Sequence, residues 1–424
     1  MNTGRIASIA RDRLSGRHRG IVSICTAHPV VIEATLRHGK VHGTDVLIEA
    51  TCNQVNQEGG YTGMTPADFR RFVEGIAARV GFDLDRLILG GDHLGPNPWK
   101  HLPAEEAMAR TEVMIGDYVR AGFGKIHLDT SMGCQGENVA LADEMTAMRA
   151  ARLARVAEAV AERGSCPAYV IGTEVPVPGG ALEAIEHLEV TRPEAALRTI
   201  EVHREAFTAA DVADAFDRVI GVVVQPGVEF GNENVVVYQR EAARALSAVL
   251  GQMPQIVFEA HSTDYQPLAA LTALVEDGFA ILKVGPGLTF ALREALYGLD
   301  SIAQVLSPAL TDIRLPAAME RLMLKEPGNW NKYYHGTADE QHIQRHFSYS
   351  DRIRYYWPHR EAQAAVAGLM ARLAGRKIPE TLISQYLGVL YPAVASGSVR
   401  PTVEALLTEA VWRVLEVYRQ ATVK

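Results

Sequence analysis

Asp92 and His93 stand side by side after a short apolar run, Leu87-Ile-Leu89, and two glycines. An acid beside an imidazole at the end of a buried strand has no packing purpose. It is costly to desolvate unless a metal, a substrate or a hydrogen-bond partner compensates. Gly95-Pro-Asn-Pro98 follows, cannot continue a strand, and must turn over the pair. On this stretch alone, a hydrogen-bonded pair that merely orders its loop is the alternative.

The same kind of residue recurs at intervals along the chain. His28 follows one β-branched run, and Glu49-Ala-Thr-Cys-Asn-Gln-Val-Asn-Gln57 follows another. His127 with Asp129, Glu174, Gln225, Glu259 with His261, and Lys283-Val-Gly-Pro-Gly287 continue the series. His93, Glu174 and His261 offer two imidazoles and a carboxylate. Such a mixed N/O set suits zinc, manganese, cobalt or iron and leaves positions open for substrate oxygens; zinc is the first expectation. Gln225 is a weaker ligand or a hydrogen-bond donor beside them. Asp92 is placed as the general acid/base, with Glu174 as a second catalytic carboxylate. Lys283, Gly285 and Gly287 open a helix whose N–H groups could hold a phosphate.

These residues need a scaffold that brings distant segments to one mouth. Short aliphatic runs predict strands at 20–24, 45–49, 86–89, 125–128, 168–171, 219–224, 256–259 and 280–284. Helical period fills the intervals, with Thr65 as an N-cap and Pro66 at the first helical position of one helix. Eight strands alternating with eight helices predict an α/β fold, a (β/α)8 TIM barrel. A doubly wound open sheet is the runner-up, but no glycine-rich dinucleotide loop follows the first strand. In a barrel, chemistry belongs at the C-terminal strand ends, where all the residues above fall. The expected division is an N-terminal segment at 1–19, the barrel at 20–306 and a helical extension packed on it at 307–424.

The chain has 424 residues, 48% hydrophobic and 22% charged, as in an ordinary soluble globular protein. A net charge of −8 without a basic stripe argues against nucleic acid as a partner. No apolar run approaches the roughly 20 residues of a membrane span. The arginine-rich start lacks the apolar core of a signal peptide. Four scattered cysteines, Cys25, Cys52, Cys134 and Cys166, make neither a disulfide framework nor a zinc ribbon. The expected location is a reducing cytoplasm.

Five motifs together resemble the GatZ/KbaZ family. They are Gly90-Gly-Asp-His-Leu-Gly-Pro-Asn97, Ile48-Glu-Ala-Thr-Cys-Asn-Gln-Val-Asn-Gln57, Ile171-Gly-Thr-Glu-Val-Pro-Val-Pro-Gly-Gly180, Glu259-Ala-His-Ser-Thr-Asp-Tyr-Gln266 and Ser350-Asp-Arg-Ile-Arg-Tyr-Tyr-Trp-Pro-His359. Members have been labelled subunits of tagatose-1,6-bisphosphate aldolase and tagatose-6-phosphate kinases, and some relatives are understood to be tagatose-6-phosphate 4-epimerases. The family is related to class II, metal-dependent aldolases. Against that pattern Asp92 matches the catalytic acid, His93 and His261 match metal histidines, and Lys283 matches a lysine near the phosphate loop. Gln225 stands where the pattern has a third histidine.

The resemblance implies a sugar phosphate substrate and a divalent metal. A metal-dependent C4-epimerase of a ketohexose 6-phosphate is the leading expectation; a component of the bisphosphate aldolase is the alternative, and a kinase comes last. Asn53, Gln54, Asn56, Asn97, Asp129, Ser262 and Asp264 are the expected substrate contacts, the carboxamides alternatively bonding loop backbone. Arg352 and Arg354 are the candidate phosphate clamp from the extension. His359 and residues 355–357 are expected to dock the extension. Expected partners are further copies of the chain and, in the aldolase reading, a catalytic subunit.

Overall fold

In the computed structural model, residues 3–162, 164–172, 188–307 and 314–423 are described. Eight parallel strands close a barrel: β1 (Ile21–Cys25), β2 (Val46–Thr51), β3 (Leu87–Leu94), β4 (Lys125–Leu128), β5 (Ala168–Ile171), β6 (Val219–Val223), β7 (Val257–Ala260) and β8 (Phe279–Val284). Each strand pairs with its sequence neighbours, and β8 pairs back with β1. This is the (β/α)8 barrel expected from the strand–helix rhythm. The helix Pro66–Val80 starts as expected: Thr65 and Asp68 form a capping box, and the helix ends at Gly81 in the left-handed conformation.

The barrel interior changes character from bottom to top. Leu47, Ile88, Val170, Val257 and Ile281 form an apolar layer, against which the helix Thr3–Leu14 packs Ile6, Ile9 and Ala10. The N-terminal segment therefore supplies apolar residues to the barrel's own core. Two residues further along β2, β7 and β8 stand Glu49, Glu259 and Lys283, because side chains on one strand face repeat every second residue. Lys125 and His127 repeat the same two-residue step on β4.

Two glycines of the β3 motif are required by close neighbours. A Cβ on Gly90 would lie 2.5 Å from Glu49 Oε1, and one on Gly95 would lie 1.6 Å from the Asp129 carbonyl oxygen. Gly90 thus makes room for a buried carboxylate, and Gly95 lets the β3 loop cross the end of β4.

Beyond the barrel, Leu315–Lys325, Ala338–Phe347, Arg360–Leu373 and Glu380–Tyr386 are helices, and Val403–Thr422 closes the chain. That last helix packs on the barrel helices Pro29–His42, Leu268–Glu276 and Pro286–Leu306. Its Tyr418 hydroxyl donates to the Thr263 carbonyl at 2.7 Å, just beyond β7. The extension also reaches the mouth directly. Asp351, with a φ of 44°, accepts from Thr289 Oγ1 at 2.6 Å and Arg293 Nε at 3.3 Å, both on Pro286–Leu306. This buried anchor fixes the short 3-10 turn Arg352–Tyr356 over the strand ends.

Candidate active site

The strand ends open into a cavity lined by Asn53, Gln54, Asp92, His93, Asn97, His261, Ser262, Asp264, Lys283, Gly285 and Arg354, among others. Its floor is ionic. Lys125 Nζ lies 2.7 Å from Glu49 Oε1 and 2.8 Å from Glu259 Oε2, and all three side chains are fully buried. Burial alone would push the Lys125 ammonium down; Glu259 and Glu49 outweigh it and hold its pKa above the ordinary value. Lys283 Nζ is ion-paired with Asp92 Oδ1 and lies 3.8 Å from Glu49 and 3.9 Å from Glu259.

His127 fixes the same carboxylate from β4. Its Nδ1 is 3.0 Å from Asp92 Oδ1, and its Nε2 donates to the Gly172 carbonyl at 2.9 Å. Burial would lower the pKa of His127, but the hydrogen bond and charge of Asp92 raise it above the usual histidine value. For Asp92, burial works upward, and the charges of His93, Lys283 and His127 outweigh it. The carboxyl is held well below the ordinary range. Asp92 is thus an ionised group with one oxygen fixed. Its other oxygen, Oδ2, has Cys25 Sγ and His93 Nε2 each at 3.8 Å.

His93 and His261 are prepared differently. His93 Nδ1 is 2.8 Å from Asp129 Oδ2, and His261 Nε2 is 3.0 Å from Glu259 Oε1. A ring held to a carboxylate through one nitrogen presents its other nitrogen, the usual orientation of a metal-ligating histidine. Burial and the Lys283 charge push the pKa of His261 well down, which keeps that ring neutral. The rings of His93 and His261 lie 4.8 Å apart, and His127 is 5.0 Å from His93. Asp92, His93, His127 and His261 bring one ligand atom each within 4.8 Å of one another. Imidazoles and a carboxylate at this spacing fit a divalent transition metal. His93 (φ 46°) and Ser262 (φ 51°) are in left-handed conformations that non-glycine residues adopt at a cost, as functional sites often require.

Two other histidine–glutamate groups lie outside the mouth. His38 and His42 meet Glu416, while His342 and His346 meet Glu320. Arg419 and Arg345 already place a two-pronged hydrogen bond on those carboxylates, so they are charge-balanced without an ion.

The residues singled out from sequence fall into distinct places. Asn53, Gln54, Asn97, Ser262 and Asp264 line the cavity. Asn56 does not: its Oδ1 accepts from Glu58 and Gly60 N–H, and its Nδ2 donates to the Cys52 carbonyl, so its amide holds the loop. Asp129 orients His93. Gln225 Oε1 accepts from Gly227 N at 2.8 Å and Val228 N at 2.9 Å, which ties its amide oxygen into its own turn. Gly285 N and Gly287 N donate to Asp264 Oδ1 at 3.0 and 2.7 Å. Of the two extension arginines only Arg354 lines the cavity. Arg352 stacks on the Tyr333 ring and donates to the Asn329 carbonyl, away from the mouth. Glu174 lies outside the described residues.

Sequence reasoning missed Lys125 and the role of His127, although a lysine and a histidine two residues apart in a strand signal an inward polar face. It also gave Tyr355 to docking. Tyr355 lines the cavity instead, with its hydroxyl accepting from Arg354 Nη2 at 2.9 Å and its ring against Tyr61.

Residues 6–423 match the family of D-tagatose-1,6-bisphosphate aldolase subunit GatZ/KbaZ-like proteins. The chain belongs to the GatZ/KbaZ-like family. A relative from Agrobacterium fabrum, named D-tagatose 6-phosphate 4-epimerase, is 54% identical over 422 residues, 99% of each chain. A solved structure from Sinorhizobium meliloti 1021, described as a probable tagatose 6 phosphate kinase, is 61% identical with a TM-score of 0.90. It covers 95% of this chain and 100% of its own. The GatZ/KbaZ-like match spans both the barrel and the extension that carries Arg354. Among the described residues no helix is long and apolar enough to cross a membrane.

Proposed function

We propose that this GatZ/KbaZ-like protein is a metal-dependent epimerase that inverts C4 of a ketohexose 6-phosphate, interconverting tagatose 6-phosphate and fructose 6-phosphate. The carrying observation is Asp92, a carboxylate with one oxygen fixed by Lys283 and His127 and the other at the cavity beside His93. The name of the 54% identical relative supports the same reading.

The C4 proton of such a substrate is not alpha to the C2 ketone, so simple enolisation does not reach it. Cleavage and re-formation of the C3–C4 bond does. Asp92 takes the proton of the C4 hydroxyl as the bond breaks, leaving a three-carbon enediolate and an aldehyde that carries the phosphate. The aldehyde turns over, the bond re-forms on its other face, and Asp92 returns the proton. A divalent ion held by His93 and His261, with Glu174 as the candidate oxygen ligand, would supply positive charge to polarise the ketone. Arg354 anchors the phosphate while the carbonyl turns. Asn53, Asn97 and Ser262 would hold hydroxyls, and so would the Gln54 Nε2, since its Oε1 accepts from Thr51 N–H. The chain acts on a small molecule, and its assembly into a homo-oligomer belongs to the same proposal.

The family's aldolase description favours a second reading, a component of a tagatose-1,6-bisphosphate aldolase, because that reaction breaks the same bond. A kinase reading is less well supported: Lys283 is held by carboxylates and the Gly285 and Gly287 N–H groups by Asp264, which leaves few donors for a nucleotide triphosphate. The deciding assay incubates the purified, metal-loaded chain alone with tagatose 6-phosphate. Fructose 6-phosphate is expected; triose phosphates from the bisphosphate would favour the aldolase, and no conversion with any divalent metal would refute the epimerase.

A further inference from the structure

The N-terminus of the helix Pro286–Leu306 is filled by the chain's own carboxylate. Asp264 Oδ1 accepts from Gly285 N at 3.0 Å and from Gly287 N at 2.7 Å. The fit is close: a Cβ on Gly287 would lie 3.1 Å from that oxygen, and one on Gly285 would lie 3.1 Å from the Cys25 carbonyl. Backbone N–H groups at a helix start are the donors a phosphate ordinarily uses, and here they are taken. Asp264 is 2% exposed, yet it borders the cavity together with Gly285.

The cations leave no substitute. Among the described residues lining the cavity, Lys283 and Arg354 are the lysine and arginine present. Lys283 is held by Asp92, with Glu49 and Glu259 just beyond. Arg354 is thus the one cation of the lining without a carboxylate ion pair. One guanidinium serves one phosphate.

We propose that Asp264 is a specificity-determining residue that restricts the site to ketoses with a single phosphate. This rests on the reading of the cavity as a ketohexose 6-phosphate site. An ionised carboxylate only accepts hydrogen bonds, so it welcomes a hydroxyl at the unphosphorylated end of the sugar. A phosphate at that end meets a like charge and finds both glycine N–H groups occupied. Discrimination of this kind works against the wrong ligand as much as for the right one.

The test measures binding by calorimetry, using fructose 6-phosphate and fructose 1,6-bisphosphate as probes on the metal-loaded full chain. The wild type is expected to bind the monophosphate at least tenfold more tightly. Asp264→Gly frees both N–H groups and is expected to reduce that preference at least tenfold. Asp264→Asn keeps an acceptor for the glycines without the charge and is expected to fall between the two. Circular dichroism and melting check that the variants fold. If the Gly variant does not fold, the wild type and the Asn variant decide.

Equal affinity of the wild type for the two probes overturns the proposal, as does an unchanged ratio in the folded variants. Epimerisation of tagatose 6-phosphate is followed separately. Turnover with an unchanged binding ratio defeats only the role of Asp264. The expected ratios without turnover defeat the epimerase reading and support the role of Asp264. Failure of both sugars to bind overturns both.

Discussion

Lys283 Nζ is ion-paired with Asp92 Oδ1 at the cavity floor, and His127 Nδ1 approaches the same oxygen at 3.0 Å. One carboxylate oxygen is therefore immobilised by two positive or polarised groups, while Oδ2 has Cys25 Sγ and His93 Nε2 each at 3.8 Å. Asp92→Asn keeps the shape but cannot accept a proton. Its kcat for epimerisation should fall by about a thousandfold or more, within the range that removal of an acid/base group produces. Fructose 6-phosphate affinity, measured alongside, should stay close to wild type, while the melting temperature should fall because Lys283 loses its buried charge partner; full turnover in the folded variant would remove Asp92 from the chemistry.

Lys125 holds the barrel floor together electrostatically. Replacing it by methionine leaves Glu49 and Glu259 buried with only the longer contacts to Lys283, at 3.8 and 3.9 Å, as a shared cation. Loss of one member of a buried ion pair costs about 3–5 kcal/mol. Urea unfolding of Lys125→Met should show a loss of that order, and Lys125→Met/Glu259→Leu should recover part of it.

Glu229 makes stability depend on pH in a direction that can be stated. Burial pushes its carboxyl up from 4.5 to about 7, against the hydrogen bonds of Phe230 N–H and Ser262. A folded-state pKa above the unfolded one means the folded protein binds the extra proton. That stabilisation is full below about pH 4.5 and is lost as pH rises through 7. Glu229→Gln cannot titrate. The stability difference between variant and wild type should therefore move in favour of the variant by on the order of 3 kcal/mol between pH 4.5 and 8, in matched denaturant titrations. A pH-independent difference would mean that Glu229 does not carry the proton.

Metal removal should separate binding from chemistry. Chelation followed by gel filtration is expected to abolish epimerisation, and zinc, manganese, cobalt or iron(II) should restore it to different degrees. His93→Ala and His261→Ala should each lower the metal content found by elemental analysis, with a loss of affinity larger than the roughly 10–100-fold that removing a group that only orients a ligand produces. Full activity in the stripped protein, with no metal detected, would contradict the assignment.

The barrel was legible because strand and helix periods alternate cleanly and the polar residues fall at the strand ends. Asp92, His93 and His261 were visible because nothing in packing explains them. Lys125 was not, because a single lysine at the start of an apolar run also reads as a solvated strand end. Its two carboxylates come from β2 and β7, which only barrel closure brings together. Arg352 and Arg354 are indistinguishable in sequence. The left-handed turn at Asp351, anchored by Thr289 and Arg293, leaves one at the cavity and the other against Tyr333. The carboxamide of Asn56 was equally ambiguous until the fold showed its amide engaged with Cys52, Glu58 and Gly60.

The most direct measurement runs the reaction of the purified, metal-loaded chain on tagatose 6-phosphate in heavy water and reads the product by mass spectrometry and NMR. Cleavage and re-formation of the C3–C4 bond never breaks the C4–H bond. Fructose 6-phosphate should appear with no deuterium at C4. Deuterium at C4, or no fructose 6-phosphate under any metal condition, would contradict it.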